Sequence, residues 1–260
     1  MSPLTLTPLQ QIPLIRQADN LADILLASLP ISGLTLQNGD ILVLAQKIVS
    51  KAEGRMVDLA TVTPSPRAVE LAAQAEKDPR VVELMLRESR EVLRVRVGAV
   101  IVEHNLGFVC ANAGIDHSNV SPLGAGPVER ADDYVLLLPA DPDRSAAEIR
   151  ARINAKAGVD VGVLVIDSHG RAWRNGTVGV TIGLAGMPGL VDLRGQPDLF
   201  GYSLRVTQVG AADELAAAAS LMMGQAAEGT PAVHARGFPY SMRDGALKEL
   251  IRPKDQDMFR

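Results

Sequence analysis

One cysteine, Cys110, in 260 residues leaves no partner for an intrachain disulfide and no cysteine pair for zinc. That usage fits a reducing, cytoplasmic setting. Aromatic residues make up only 3% of the chain, so the core must be built from Ala, Val, Leu and Ile. The four histidines are scattered and offer no histidine cage for a metal. No phosphate-binding G-x-x-x-x-G-K-[ST] run is present, no G-x-G-x-x-G follows a strand, and H-E-x-x-H and G-x-S-x-G are also missing. No stretch approaches the roughly 20 apolar residues of a membrane span. Met1 to Ile15 lacks the charged start and apolar stretch of a secretory signal. The formal charge of −4 argues against a general nucleic-acid binder. By exclusion, a nucleotide site here is non-standard and a metal site is made of oxygens, which select Mg²⁺ or Mn²⁺.

What is present is enough for a core, since 47% of the residues are hydrophobic. The patterning predicts helices at Leu21–Leu29, Pro66–Ala75, Val81–Glu88, Ser145–Ala155, Asp213–Met223 and Gly245–Ile251. It predicts strands at Ile41–Ala45, Val92–Val102, Leu106–Asn112, Tyr134–Leu138, Val159–Ile166 and Val178–Ile182. Gly114 to Gly126 reads as a polar loop. Strands and helices mix without a regular βαβ repeat, which points to a single α+β domain over residues 1–260. The Gly- and Pro-bearing stretch 183–189 is the expected seam between two intimate subdomains.

Two aspartates stand where hydrophobic strands are expected to end. Asp116 lies in Gly114-Ile115-Asp116-His117-Ser118-Asn119, and Asp167 closes Val163-Leu164-Val165-Ile166-Asp167-Ser168. A carboxylate just beyond a strand is well placed to hold a cation over phosphates, and Ser168 adds a neutral oxygen. Each segment alone also reads as an ordinary Asx turn. Lys47 and Lys51 follow a strand and suit phosphates, with Glu53 and Arg55 organising the loop; a solvated edge is the plainer alternative. Gln225 closes the Ala-rich helix beside Gly224, which serves either as a helix cap or as a point of close ligand approach. Trp173, between Arg171 and Arg174, either stacks on a flat ring or covers the core. Cys110, in an apolar run with nothing to stabilise a thiolate, reads as a small buried hydrophobe.

In order along the chain, Ile12-Pro13-Leu14-Ile15, QKIVSKAEGR (46–55), LMLRESREVLR (84–94), GIDHSN (114–119), VIDS (165–168), RNGTVGVTIG (174–183) and the MGQAAEG turn (223–229) resemble the coenzyme F420-0:L-glutamate ligase family. The resemblance runs from Gln11 to about Arg236. It implies a non-standard mixed α+β fold, an intertwined homodimer, and the stand-alone form without a fused C-terminal flavin domain. It implies GTP as a substrate, two divalent cations (Mg²⁺ or Mn²⁺) and K⁺, with coenzyme F420-0 and L-glutamate as the other substrates.

The family's roles fall on matching positions of this chain. Ile12, Pro13, Leu14, Ile15, Gln46, Lys47, Lys51 and Asn119 would line the nucleotide site, together with Met223, Gly224, Gln225, Ala226, Ala227, Glu228, Gly229 and Thr230. Asp116 and Asp167 would share the first cation, and Ser168 and Gln225 would hold the second. Ser168 stands where the family often has Thr, and keeps the oxygen. Asp116, Asp167 and Lys51 are the expected catalytic residues. The implied chemistry is GTP-driven activation of a carboxylate as an acyl phosphate, then attack by the amine of glutamate. The alternative is another NTP-dependent carboxylate–amine ligase, or a kinase, on the same metal site.

Overall fold

The computed structural model of the chain describes residues 3–120 and 133–258. The predicted loop 114–126 therefore lies partly outside the described residues. In chain order the elements are β1 (Thr5–Pro8), α1 (Leu21–Ile31), β2 (Ile41–Ala45), α2 (Gln46–Ala52), β3 (Met56–Asp58), α3 (Pro66–Ala75), α4 (Pro79–Arg87), β4 (Ser89–Arg96), β5 (Ala99–His104) and β6 (Val109–Ala111). They continue with β7 (Tyr134–Leu136), α5 (Pro142–Ala157), β8 (Gly162–Arg171), β9 (Arg174–Ala185), β10 (Val191–Asp192), β11 (Gln208–Val209), α6 (Ala211–Met223) and β12 (Ala232–Arg236). The fold is mixed α+β, as expected, with several sheets.

The helix starts follow from local chemistry. Ser65, Asp78 and Asp141 each accept a backbone N–H of the first turn, from Ala68, Arg80 and Arg144, and a proline opens α3, α4 and α5. The predicted strand Val92–Val102 is in fact the hairpin β4–β5, broken at Val97 and Gly98. Valines and an isoleucine recur on both sides of the break, so only the glycine marks the turn. The predicted helix Gly245–Ile251 is reduced to one 3₁₀ turn, Leu247–Glu249.

The principal sheet has the order β1-β12-β2-β8-β9, with β2 and β8 parallel and the other pairs antiparallel. Both central strands are buried on both faces, which is why they read as unbroken apolar runs. Leu42, Leu44, Val163 and Val165 pack with residues of α1 and α5 in one cluster. Ile41, Val43, Leu164 and Ile166 pack with Leu215, Ala216 and Ala219 of α6 in another. A third cluster joins α3 and α4 to the smaller sheet β4-β5-β6.

The register decides which segments meet. The last β2–β8 pair is Ala45 with Ile166, and β8 then runs on to Arg171 paired only with β9. Leu44 pairs with Ala232 at the start of β12, and Leu9 N–H donates to the Ala232 carbonyl at 2.9 Å. The end of β2, the overhang of β8, the approach to β12 and the chain leaving β1 therefore share one end of the sheet.

At the opposite end, Asp40 is 1% exposed and accepts two hydrogen bonds from Arg236, at 2.8 and 2.7 Å, and one from Gln37 N–H at 2.8 Å. His234 Nε2 lies 2.9 Å from the same carboxylate. Among the described residues no helix is long and apolar enough to cross a membrane.

Residues 183–185 complete β9, and residues 186–189 are buried. A Cβ on Gly183 would come within 2.4 Å of the Pro142 carbonyl carbon at the start of α5. Backbone cannot yield as a side-chain tip can. Gly183→Ala is therefore expected to lose about 1–3 kcal/mol of stability in urea unfolding, the usual cost of overpacking.

Candidate active site

Asp116 is held by its backbone before its side chain does anything. After β6, Asn112, Ala113 and Gly114 are left-handed in succession, with φ of 53, 52 and 64°. For the first two this conformation is strained, and such strain gathers at functional loops. Asn112 is restrained by accepting the Val100 N–H at 3.0 Å. Asp116 then exchanges two backbone hydrogen bonds with Leu136 of β7, at 3.0 and 2.9 Å. Its carboxylate faces α2, which follows β2 without a connecting loop.

The charged segment predicted as a solvated edge or phosphate contact is thus a short helix. Gln46 is 1% exposed, and its amide oxygen is held by the Ser50 hydroxyl at 2.8 Å. That fixes its Nε2, which donates to Asp116 Oδ2 at 2.6 Å. Lys47 Nζ lies 2.6 Å from the same oxygen. Lys51, one turn on, donates to the Asn119 carbonyl at 2.8 Å. Asn119 Nδ2 in turn donates to the Ala226 carbonyl at 3.0 Å.

Asp167 is not at a strand end. It sits inside β8, and it is exposed to the site because β2 stops one pair earlier. Alternation along the strand places Asp167 and His169 on one face and Ser168 on the other. The Ser168 hydroxyl donates to Gln225 Oε1 at 2.9 Å. Ser168 and Gln225 are thus bonded to each other, on the side of β8 away from Asp167.

Asp116 and Asp167 are close enough to influence each other electrostatically. Burial raises the Asp116 pKa above the usual carboxylate range, the nearby negative Asp167 raises it further, and Lys47 opposes both. Lys51 is lowered by burial and by the positive charge of Lys47, with Asp116 acting the other way. The Cys110 thiol is pushed up to about 12 by burial, in keeping with the small hydrophobe expected there.

The remaining expected residues gather at the same end of the sheet. Ile12 to Ile15 lie just beyond Leu9, with Ile15 buried and Leu14 exposed. The turn 223–230 is pinned by Thr230 Oγ1 donating to the Met223 carbonyl at 2.7 Å and by Ala226 N–H donating to Glu228 at 2.8 Å. Gly224 takes φ of 74° there, and a Cβ would meet Glu228 at 2.2 Å. Glu53 and Arg55 are struts: Ser145 Oγ donates to Glu53 at 2.5 Å, while Arg55 donates to the Leu138 carbonyl at 2.8 Å and to Glu88 at 2.7 Å.

Trp173 does not cover the core. It is 88% exposed, in the turn joining β8 to β9. The residue that sequence reasoning missed is His169. Its Nε2 is 3.0 Å from Asp167 Oδ2, although the N–H does not point along a hydrogen bond. Phe108 packs on His169 and stacks on His104, with centroids 5.2 and 5.3 Å apart. Burial, aided by the charge of Arg55, lowers the His104 pKa to about 4 and keeps that ring neutral. The only sequence signal for His169 is its spacing of two from Asp167 on a strand.

A model of the F420-0:gamma-glutamyl ligase family matches residues 10–237, a span that contains every segment of this site. The coenzyme F420:L-glutamate ligase of Methanothermobacter thermautotrophicus is 44% identical over 259 residues, covering 99% of both chains. That of Methanopyrus kandleri is 46% identical over 250 residues, 95% of this chain and 93% of its own. That of Archaeoglobus fulgidus is 39% identical over 253 residues, 97% of this chain and 95% of its own.

The chain belongs to the F420-0:gamma-glutamyl ligase family. It is an enzyme, a ligase. The resemblance carried by short segments thus extends across nearly the whole chain; segments 12–15, 46–55, 114–119, 165–168 and 223–229 meet near one end of the principal sheet, while 84–94 lies in α4 and β4. The residues expected to hold a cation offer oxygens only, and among the described residues no three His, Cys, Asp or Glu side chains form a metal-binding group. The expected donors are two carboxylates, a hydroxyl and an amide oxygen, divided between the two sides of β8. Hard ions that keep several water and phosphate ligands suit such a set.

Proposed function

We propose that this enzyme joins L-glutamate to the lactyl carboxylate of coenzyme F420-0, with GTP as the energy source, and adds further γ-linked glutamates by the same chemistry. The observation that carries the reading is the convergence of Asp116, Asp167, Gln46, Lys47, Lys51, Asn119 and the 223–230 turn at one end of one sheet. The names of the relatives supply the substrates. An intertwined homodimer, a need for K⁺ and a cytoplasmic location belong to the same proposal, on the family resemblance.

The residues fit divalent cations. Every donor is an oxygen, and the Lys47 ammonium already occupies Asp116 Oδ2 as an internal stand-in. Asp116 and Asp167 would hold the first ion, and Ser168 and Gln225 the second. Bound there, Mg²⁺ or Mn²⁺ supplies charge neutralisation for a triphosphate and a carboxylate brought together.

The chain's own residues do the rest. Lys47 and Lys51 neutralise the β- and γ-phosphates, and Asn119 and the 223–230 turn position the nucleotide. The carboxylate of the coenzyme attacks the γ-phosphorus and GDP leaves. The resulting acyl phosphate is then opened by the neutral α-amine of glutamate, which forms the amide, releases phosphate and loses one proton. A carboxylate alone has no adequate leaving group, so activation is obligatory. Positioning of reactants and charge complementarity account for the acceleration, since no side chain becomes bonded to substrate.

The test is GDP release. It should require both glutamate and the glutamate-free coenzyme; release stimulated equally by an unrelated carboxylic acid would redirect the assignment to another acceptor. Ser168→Ala or Gln225→Ala removes one neutral oxygen, an interaction of about 1.4 kcal/mol or tenfold. Either variant should raise the Mn²⁺ concentration for half-maximal turnover by about that factor in a metal titration.

A further inference from the structure

Asp116 is neutralised from within the chain. Lys47 Nζ sits 2.6 Å from Oδ2 and also donates to the Ser118 carbonyl at 3.2 Å. The second donor pair is closed in the same manner, because the Ser168 hydroxyl spends its proton on Gln225. Asn119 ties its loop to the 223–230 turn through Ala226. The arrangement is a site whose groups satisfy one another.

The two cationic or donor groups on Asp116 are not equivalent. Gln46 is buried and locked by Ser50, so its hydrogen bond to Asp116 is part of the scaffold. Lys47 is partly exposed and carries its charge on a flexible four-carbon stem. It is the group that can move. A divalent ion and an ammonium compete for one carboxylate oxygen and repel each other strongly at that range. Nucleotide phosphates offer the ammonium another partner.

Resting on the metal and nucleotide site read above, we propose that Lys47 is a built-in counter-ion of Asp116 that a divalent cation displaces only when nucleotide phosphates draw the ammonium away. Metal and nucleotide then bind cooperatively. Linkage requires the effect to be mutual: the factor by which nucleotide tightens the metal is the factor by which metal tightens the nucleotide.

The experiment is Mn²⁺ binding to the full chain, followed by the electron paramagnetic resonance of free Mn²⁺, with and without GDP and corrected for the ion that GDP itself binds. In the wild type GDP should tighten Mn²⁺ binding by about 10- to 100-fold. Lys47→Met keeps the stem and removes the charge. Without nucleotide it should bind Mn²⁺ about tenfold more tightly than the wild type, and the GDP effect should shrink accordingly. Lys47→Arg keeps the charge and should stay weak. Nucleotide-free binding by Lys47→Met no tighter than the wild type would overturn the proposal. Asp116→Asn is the control for the site itself: it should lose the ion, and undiminished binding there would overturn the metal-site assignment and the exchange with it.

Discussion

Asp167→Asn is expected to fold normally and to lose ligation by about 10³-fold or more, since the charge stabilisation a held metal gives a developing anion is worth several kcal/mol and each 1.36 kcal/mol is tenfold. The substitution keeps the shape of the side chain on β8, where the pairing with Val180 is made by backbone and is indifferent to the change. It removes the negative charge that acts on Asp116 from β8. Asp116, freed of a repelling neighbour that raises its pKa, should titrate at a lower pH than before. Turnover by GDP release, with circular dichroism and the thermal midpoint as fold controls, checks the expectation. Near-normal turnover in a folded variant would remove Asp167 from the chemistry.

The second large effect lies at the other end of the sheet and concerns stability alone. Asp40→Ala should cost about 3 kcal/mol, the lower part of the range for breaking a buried pair, because the Arg236 guanidinium it abandons is partly exposed and can be hydrated. The His234 imidazole loses the same partner. Burial acts to raise the Asp40 pKa, but hydrogen bonds from Arg236 and the Gln37 backbone, with the His234 imidazole close beside the carboxylate, outweigh it and hold the value below the usual one. The sign follows. A depressed folded pKa means that the unfolded chain takes up the proton first as the pH falls. The stabilisation is complete above the ordinary carboxylate range of about 4 and is lost as pH drops through the lower folded value. Urea unfolding at pH 7 measures the loss, and the variant should show a flatter stability–pH slope below about pH 4.

These two aspartates illustrate what a sequence discloses. The apolar runs ahead of Asp167 and after Asp40 are legible because β2 and the first five residues of β8 are buried on both faces. The helix α3 is legible to its ends because Ser65 and Pro66 announce it. The helix α2 is not: seven residues with two lysines carry no full apolar period, and it is tertiary packing of Ile48 and Val49 that makes it a helix. Asp167 looked like the end of a strand because the apolar run ends there. The strand in fact continues in polar residues, since the β8–β9 hairpin projects beyond the sheet and has no core to face.

The site shows the same division. Asp116, Asp167 and Lys47 could each be singled out by type and by their place after an apolar run, whereas Gln46 entered only through the family resemblance. That Lys47 lies on Asp116, and that Ser168 and Gln225 form a separate pair, depends on sheet register and on residues far apart in the chain. His169 was lost among scattered histidines, although a spacing of two on a strand is enough to place it beside Asp167. Trp173 was read from its residue type, and type alone does not tell an interior position from the tip of a hairpin.

The most direct measurement is mass spectrometry of the glutamate-free coenzyme after incubation with the wild-type chain, GTP, Mn²⁺ and L-glutamate, run beside Asp167→Asn. The account predicts products heavier by whole glutamyl units with the wild type, matched by GDP formation, and no such products with the folded variant. Unmodified coenzyme in both samples, or equal glutamylation in both, would contradict it.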